Sequence, residues 1–293
     1  MRERLARSLL GPRAACPPLL PSLVKQNHMR ARTPLSREPA AGPGWADLRR
    51  ELDAWADAGR CATFWWRDDD AVAPGPALDR LLEAAAGVPL ALAVIPARAE
   101  AALARRLEAA PGVAVLQHGW EHANHAPAGE RKSELGPHRP LADMIAELAA
   151  GRELLRALFG ARALPVLAPP WNRIAPELAA ALPDAGFVGL STYRPRPATE
   201  RPRLMRVNTH IDPVDWHDGR GFLGETPSLL LALDHLRGRR LGLHDADEPT
   251  GLLTHHLVTD DSCWAFVARF LAETRRHPAA RWLGAGELFA CPP

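Results

Sequence analysis

The chain has 293 residues, 47% of them hydrophobic, which is enough apolar material for one large core or two small ones. Its 36 basic and 34 acidic side chains leave a formal net charge of +2, so neither nucleic acid nor an anionic membrane surface is expected as the main partner. There is no run of about 18 apolar residues, so a membrane-spanning helix is not expected either.

Residues 1 to 43 are rich in Arg, Pro and Ala, a composition that packs poorly, and they read as a disordered or loosely attached extension. Pro17, Pro18 and Pro21 interrupt its apolar stretch before it reaches signal-peptide length. A cytoplasmic location is therefore expected, and Met29 is a possible alternative start. Cys16, Cys61, Cys263 and Cys291 are isolated and lack CxxC spacing, as reduced thiols do.

From residue 44 to 293 the signals alternate as in a single domain. Trp45 to Gly59 has apolar residues at helical spacing and ends on a glycine. Ala62 to Trp66 reads as a short aromatic strand, Pro76 to Ala86 as a helix, and Leu90 to Ile95 as a buried strand closed by Pro96. A helix over Ala97 to Ala110 and a strand over Val113 to Gln117 follow, then a polar loop from His118 to Arg139. The long helix Leu141 to Phe159 precedes short strands at Pro165 to Ala168, Val188 to Ser191, Leu204 to Asn208 and Gly251 to Thr254. Pro176 to Leu182, Thr226 to Arg237 and Asp261 to His277 are the remaining helices. This order predicts an α/β fold, a barrel of parallel strands with crossover helices.

The polar clusters fall just past these strands. They are Asp68-Asp69-Asp70, His118 with His122, Pro170-Trp171-Asn172, His210 with Asp212 and Asp215, and His255-His256. In a parallel barrel those strand ends converge on one face, where sites are built. Three adjacent acids beside Trp65 and Trp66 are costly, because like charges repel and buried carboxylates lose hydration. A divalent cation relieves both costs, with one carboxylate as ligand and a neighbour free as general base. A solvated turn capping the next helix is the plainer alternative.

Two imidazoles at HxxxH spacing beside a strand end can reach one ion, and with a carboxylate they complete the three-ligand set of a catalytic zinc site. Glu121 points away from the pair, and Asn124 and His125 line the rim or order the loop. Ala168-Pro-Pro-Trp171-Asn172 is a proline-stiffened turn presenting an aromatic face, either as packing or as a wall for a sugar. Asp212 and Asp215, with Trp216, could orient a catalytic group. His255, directly after an apolar strand, could serve as general acid or be a buried structural histidine.

Taken in order, these residues resemble the polysaccharide deacetylases, the NodB-homology group of carbohydrate esterase family 4. The resemblance runs from about Thr63 to Leu257, through Asp68-Asp69, His118-x-x-x-His122, Pro170-Trp171, Asp212 to Trp216, and Leu253-Thr-His255. It implies an irregular (β/α) barrel and removal of an N- or O-acetyl group from a sugar or polysaccharide by metal-activated water. It also implies Asp68 as base, Asp69, His118 and His122 as ligands of a divalent ion, and His255 as acid. Zinc suits two imidazoles and a carboxylate best. A backbone amide of the Pro170-Trp171 turn would stabilise the oxyanion.

Two departures mark a divergent branch. Ala168 stands where the family has an arginine that orients the base, a role open to Arg67 or Arg173. Asp70 follows the acid pair where the family has glycine, which opens a second register with Asp69 as base and Asp70 as ligand. A cytosolic amidohydrolase acting on a small-molecule amide, and a non-catalytic carbohydrate-binding protein on the same scaffold, are the competing readings.

Overall fold

The computed structural model describes residues 42–196, 204–217 and 219–290. The N-terminal extension expected over residues 1 to 43 lies almost wholly outside these, as do Cys16 and Cys291. Cys61 and Cys263 form no disulfide, and no helix of the described residues is long and apolar enough to cross a membrane.

Helix α1 (Trp45–Asp57) leads into β1 (Ala62–Ala71), α2 (Pro76–Ala84), β2 (Leu90–Val94), α3 (Ala101–Glu108) and β3 (Val113–Gln117). A long loop reaches α4 (Leu141–Phe159), followed by β4 (Ala163–Leu167), α5 (Pro176–Ala181) and two-residue strands β5 (Gly189–Leu190) and β6 (Met205–Arg206). Then come α6 (Glu225–Arg240), β7 (Thr250–Thr254), α7 (Asp261–Arg276), β8 (Ala280–Trp282) and α8 (Ala285–Leu288). All strand pairings are parallel, in the order β6-β5-β4-β3-β2-β1-β7, with β8 on the first residues of β1. The sheet curls, and residues 207–211 bridge its two sides. Val207 N donates to Leu190 O, Thr209 N to Thr192 O, and Leu253 N to Ile211 O.

Alternation within the strands sorts the core into two. Phe64 and Trp66, Leu90, Leu92 and Val94, and Val113 and Val115 face the surrounding helices. Trp65, Ala91, Ala93 and Leu116 pack in the concave interior with Val166, Ala168 and Phe289. Both faces are buried, which is why the strands read as continuous apolar runs instead of an alternating pattern. Small alanines line the inside because a curled sheet leaves little room there.

Several expectations about the elements change. β1 continues through the acids to Ala71 instead of ending at Trp66. Charged residues can stay in a buried strand here because each carboxylate finds a partner. β8 and α8 were not foreseen; three residues of β8 carry too little pattern to read. The expected strands near Val188 and Leu204 shrink to two residues each.

Gly251 shows how tightly the closure is packed. A Cβ there would lie 2.4 Å from Trp65 Nε1, 2.6 Å from Asn208 O and 2.8 Å from Thr209 Cα. The Trp65 indole is itself fixed, donating to Asn208 O at 2.9 Å. Gly251→Ala is therefore expected to lower unfolding free energy by roughly 2–3 kcal/mol in urea denaturation, because backbone has to move. An unchanged midpoint would show that the closing segment is loose.

Candidate active site

The three acids of β1 go to three different places. Asp68 lies on the helix-facing side with Trp66. It accepts from Thr254 Oγ1 at 2.6 Å, His256 N at 3.0 Å and His256 Nδ1 at 2.5 Å. Trp66 Nε1 donates to the same threonine hydroxyl at 2.9 Å. Burial alone would lower the His256 imidazole, but the Asp68 carboxylate outweighs it and raises its pKa. All of Asp68's hydrogen bonding is spent on the end of β7, and it does not reach the His118–His122 pair.

Asp69 points to the interior, beside Arg67. Arg67 Nε lies 2.9 Å from Asp69 Oδ1, and Nη2 donates to Oδ2 at 3.0 Å. The same guanidinium donates to Ser191 O at 2.9 Å, Ser191 Oγ at 2.6 Å and Asn172 Oδ1 at 2.6 Å. Arg67 and Asp68 are fully buried and Asp69 nearly so. A lone buried ion costs several kcal/mol, so this fan of contacts is what allows Asp69 to sit there. Of the two arginines considered in the absence of one at Ala168, Arg67 is the one paired with the Asp69 carboxylate. Arg173 donates instead to Lys132 O.

Asp70 should follow alternation to the helix side, and it does not. Its φ of 71° is left-handed, and the β1–β2 register shifts between Asp68 and Ala71. Asp is among the few side chains that tolerate this conformation. The bulge swings Asp70 inward beside Asp69, and its Oδ1 lies 3.1 Å from His118 Nε2 and 3.3 Å from His122 Nε2. The carboxylate that joins the two histidines is therefore Asp70, where the family resemblance had put Asp69.

The chemistry of this trio suits a cation. His118 Nδ1 is 2.9 Å from Ala168 O and must donate to it, which leaves the Nε2 lone pair facing a carboxylate oxygen. Two lone pairs face each other unless a proton or a cation lies between. Metal–ligand bonds of about 2.0–2.2 Å in a tetrahedron imply ligand–ligand edges of about 3.3–3.6 Å, close to those seen here. Burial would raise the Asp70 carboxyl, but His118, His255 and His122 hold it well below the ordinary range. Burial and the neighbouring His118 lower His122, while Asp69 and Asp70 overcome burial to raise His118.

The remaining predicted residues surround the trio. His255 Nε2 lies 3.9 Å from Asp69 Oδ2. Trp216 stands edge-on to the His255 ring, with centroids 4.6 Å apart, and is fixed by a 2.7 Å bond from its indole to Asp212 Oδ2. Asp215 accepts from His217 N at 2.9 Å. Pro170 is buried, and Trp171 lies against the His122 ring, 4.3 Å between centroids. Trp171 and Asn172 have φ of 55° and 56° and His122 of 63°. With Asp70, four side-chain-bearing residues in left-handed backbone meet at one place, a pattern typical of sites held under strain. The sequence reading missed Glu134, whose carboxylate accepts from the amides of the His118–His122 turn.

No protein-family profile matches the chain, and no curated protein is similar to it in sequence. Solved structures are similar. A candidate polysaccharide deacetylase from Mycobacterium smegmatis superposes with a TM-score of 0.58 at 17% identity, over 86% of this chain and 93% of that one. The chain has the polysaccharide deacetylase fold. A family 4 carbohydrate esterase from Streptomyces lividans, in complex with acetate, gives a TM-score of 0.47 at 16% identity, over 76% and 91% of the two chains. The expected irregular barrel of parallel strands with crossover helices is observed as a curled parallel sheet with flanking helices.

A second cluster, His210, His235 and Glu248, also brings three ligand-type atoms together, but it suits an ion poorly. The two rings are stacked, with centroids 3.3 Å apart and planes within 13°. An ion shared by both would sit about 1.6 Å out of each ring plane, about 50° off the lone pair for a bond of about 2.1 Å. Moreover, His210 Nδ1 accepts from Gly251 N at 2.9 Å, so its hydrogen is on Nε2, facing Glu248 Oε2 at 3.5 Å. The two imidazoles are neutral and Glu248 carries the charge, so this is a buried polar knot and not an ion site. Glu248 also accepts from Asn208 N at 3.0 Å and Arg196 N at 2.8 Å.

Burial, opposed by Glu248, pushes the His235 imidazole down to about 3. It lowers His210 as well. Below its ordinary pKa the unfolded chain binds a proton that folded His235 refuses, so stability increases as pH rises between about 3 and 6.5. The urea midpoint of the wild type is expected to climb from pH 4 to about pH 6.5. In His235→Gln the climb should be shallower. Equal slopes would mean that the knot is already protonated in the folded state.

Proposed function

We propose that the chain is a metal-dependent deacetylase that removes an acetyl group from an N- or O-acetylated sugar. The observation that supports this most is the convergence of Asp70, His118 and His122 on one point, with Asp69 and His255 beside it. The shared fold with the M. smegmatis protein agrees with it. Asp70, His118 and His122 would hold the ion, and zinc suits that donor set. Bound there, a divalent ion supplies polarisation of the acyl carbonyl and a lowered pKa for water.

The chain's own groups supply the rest. Asp69, held by Arg67 with its carboxylate turned into the site, accepts the proton of the attacking water. Its immobility matters, because a base misplaced by an ångström loses much of its effect. His255, across from it, donates a proton to the departing amine or alcohol. Trp216 keeps the His255 ring from turning, and Asp212 keeps Trp216 in place. In the Pro170–Asn172 turn, the Asn172 amide is spent on Pro169 O and the Arg173 amide on Pro170 O. Trp171 N–H is the amide offered to the developing oxyanion. The Trp171 and Trp216 rings wall the site on two sides, as sugar faces require.

The register of the acids gives a discriminating test. Metal content by elemental analysis and acetate release from N-acetylated sugars are measured on wild type, Asp69→Asn and Asp70→Asn. Wild type is expected to bind about one ion per chain and to lose activity on chelation. Asp69→Asn should keep the ion and lose about 10²- to 10⁴-fold in kcat. Asp70→Asn should lose the ion. Metal retained in Asp70→Asn and lost in Asp69→Asn would return the assignment to the first register. Metal without acetate release would point to another amide or ester.

A further inference from the structure

Glu134 has no exposure, yet its carboxylate accepts from four consecutive backbone amides. Oε2 takes Trp120 N at 3.0 Å, and Oε1 takes Glu121 N at 2.8 Å, His122 N at 2.9 Å and Ala123 N at 3.4 Å. Arg139, whose guanidinium senses this charge, pairs with Glu147 instead. The charge is thus held chiefly by peptide dipoles, an anion nest occupied by the protein's own side chain. Gly119 makes room for it. Its φ is 61°, and a Cβ there would lie 1.8 Å from Glu134 Oε2 and 2.6 Å from Pro170 Cγ.

The amides gathered by Glu134 are those of the turn that carries His122. That residue is left-handed, a conformation unfavourable for a residue with a side chain, and it persists only where the surroundings impose it. Hydrogen bonds to a charged acceptor are stronger than neutral ones, and three or four of them together outweigh that cost. The HxxxH spacing alone brings the second imidazole near the first but does not aim it. The turn does that, and His122 Nε2 comes to 3.3 Å from Asp70 Oδ1.

We propose that Glu134 is a positioning residue that preforms the His122 half of the metal site, by clamping the amides of residues 120–123. This rests on the reading of Asp70, His118 and His122 as the ligand set. Glu134 touches neither ion nor substrate. It acts through the backbone, so its loss weakens metal affinity before it changes the fold. Glu134→Gln keeps the size but turns an NH2 group toward amide donors.

The test is calorimetric titration of Zn²⁺ into the metal-free full-length chain, well below its melting temperature. Glu134→Gln is expected to bind with unchanged stoichiometry and about 10- to 100-fold weaker affinity, with the far-UV spectrum of the wild type. Gly119→Ala, which displaces the carboxylate, should weaken binding in the same sense. Glu130→Gln, at an exposed carboxylate paired with His138, should not. If Glu134→Gln does not fold, Glu134→Asp carries the test, with an intermediate loss of affinity expected. Wild-type affinity in a folded Glu134 variant overturns the proposal while leaving the site intact. A wild type that binds no Zn²⁺ overturns the ligand set itself, and this inference with it.

Discussion

One backbone dihedral organises the site. Without the left-handed turn at Asp70, strand alternation would send Asp68 and Asp70 to the helix side and leave Asp69 alone inside. The bulge places two adjacent carboxylates in the same interior, close enough for different roles and turned toward different partners. Glycine adopts this conformation freely, whereas aspartate needs compensation, which the two imidazoles facing its carboxylate provide. Strain and electrostatics are coupled here: the group that draws Asp70 inward also makes its backbone tolerable.

The second constraint is charge in a dry place. Arg67 and Asp69 lie two residues apart on the same face of β1, so the strand supplies its own counter-ion. The pair is not self-sufficient, however. Ser191 and Asn172 take the remaining guanidinium hydrogens, and through them Arg67 also ties the end of β5 and the Trp171 turn to the carboxylate. At Ala168 the carbonyl, not the side chain, meets the site, where it fixes the tautomer of His118.

Much of this was legible in the sequence. The alternation of apolar strands and helices gave the parallel barrel, and the HxxxH pair, the Pro-aromatic turn and His255 were found where strand ends meet. What could not be read was geometry that breaks a repeat. Three equal letters, Asp68 to Asp70, carry no mark showing which one is left-handed, so the turn that brings Asp70 beside the histidines could not be read. Glu134 was invisible for another reason. Its partners are backbone amides twelve or so residues away, and amides have no letter; the glycine inside the histidine motif was the one trace of the space it needs. The two-residue strands β5 and β6 are defined by pairing with neighbours and not by any pattern of their own.

The bond between Asp68 and His256 has a consequence beyond stability. Asp68 precedes Asp69 in the chain and His256 follows His255, so the two residues lying 3.9 Å apart across the site are each next door to one end of a buried 2.5 Å contact. That contact ties the end of β1 to the end of β7, like two jaws riveted behind the hinge. The distance between Asp69 and His255 is thereby gauged by a pair of buried side chains on the far side of the sheet.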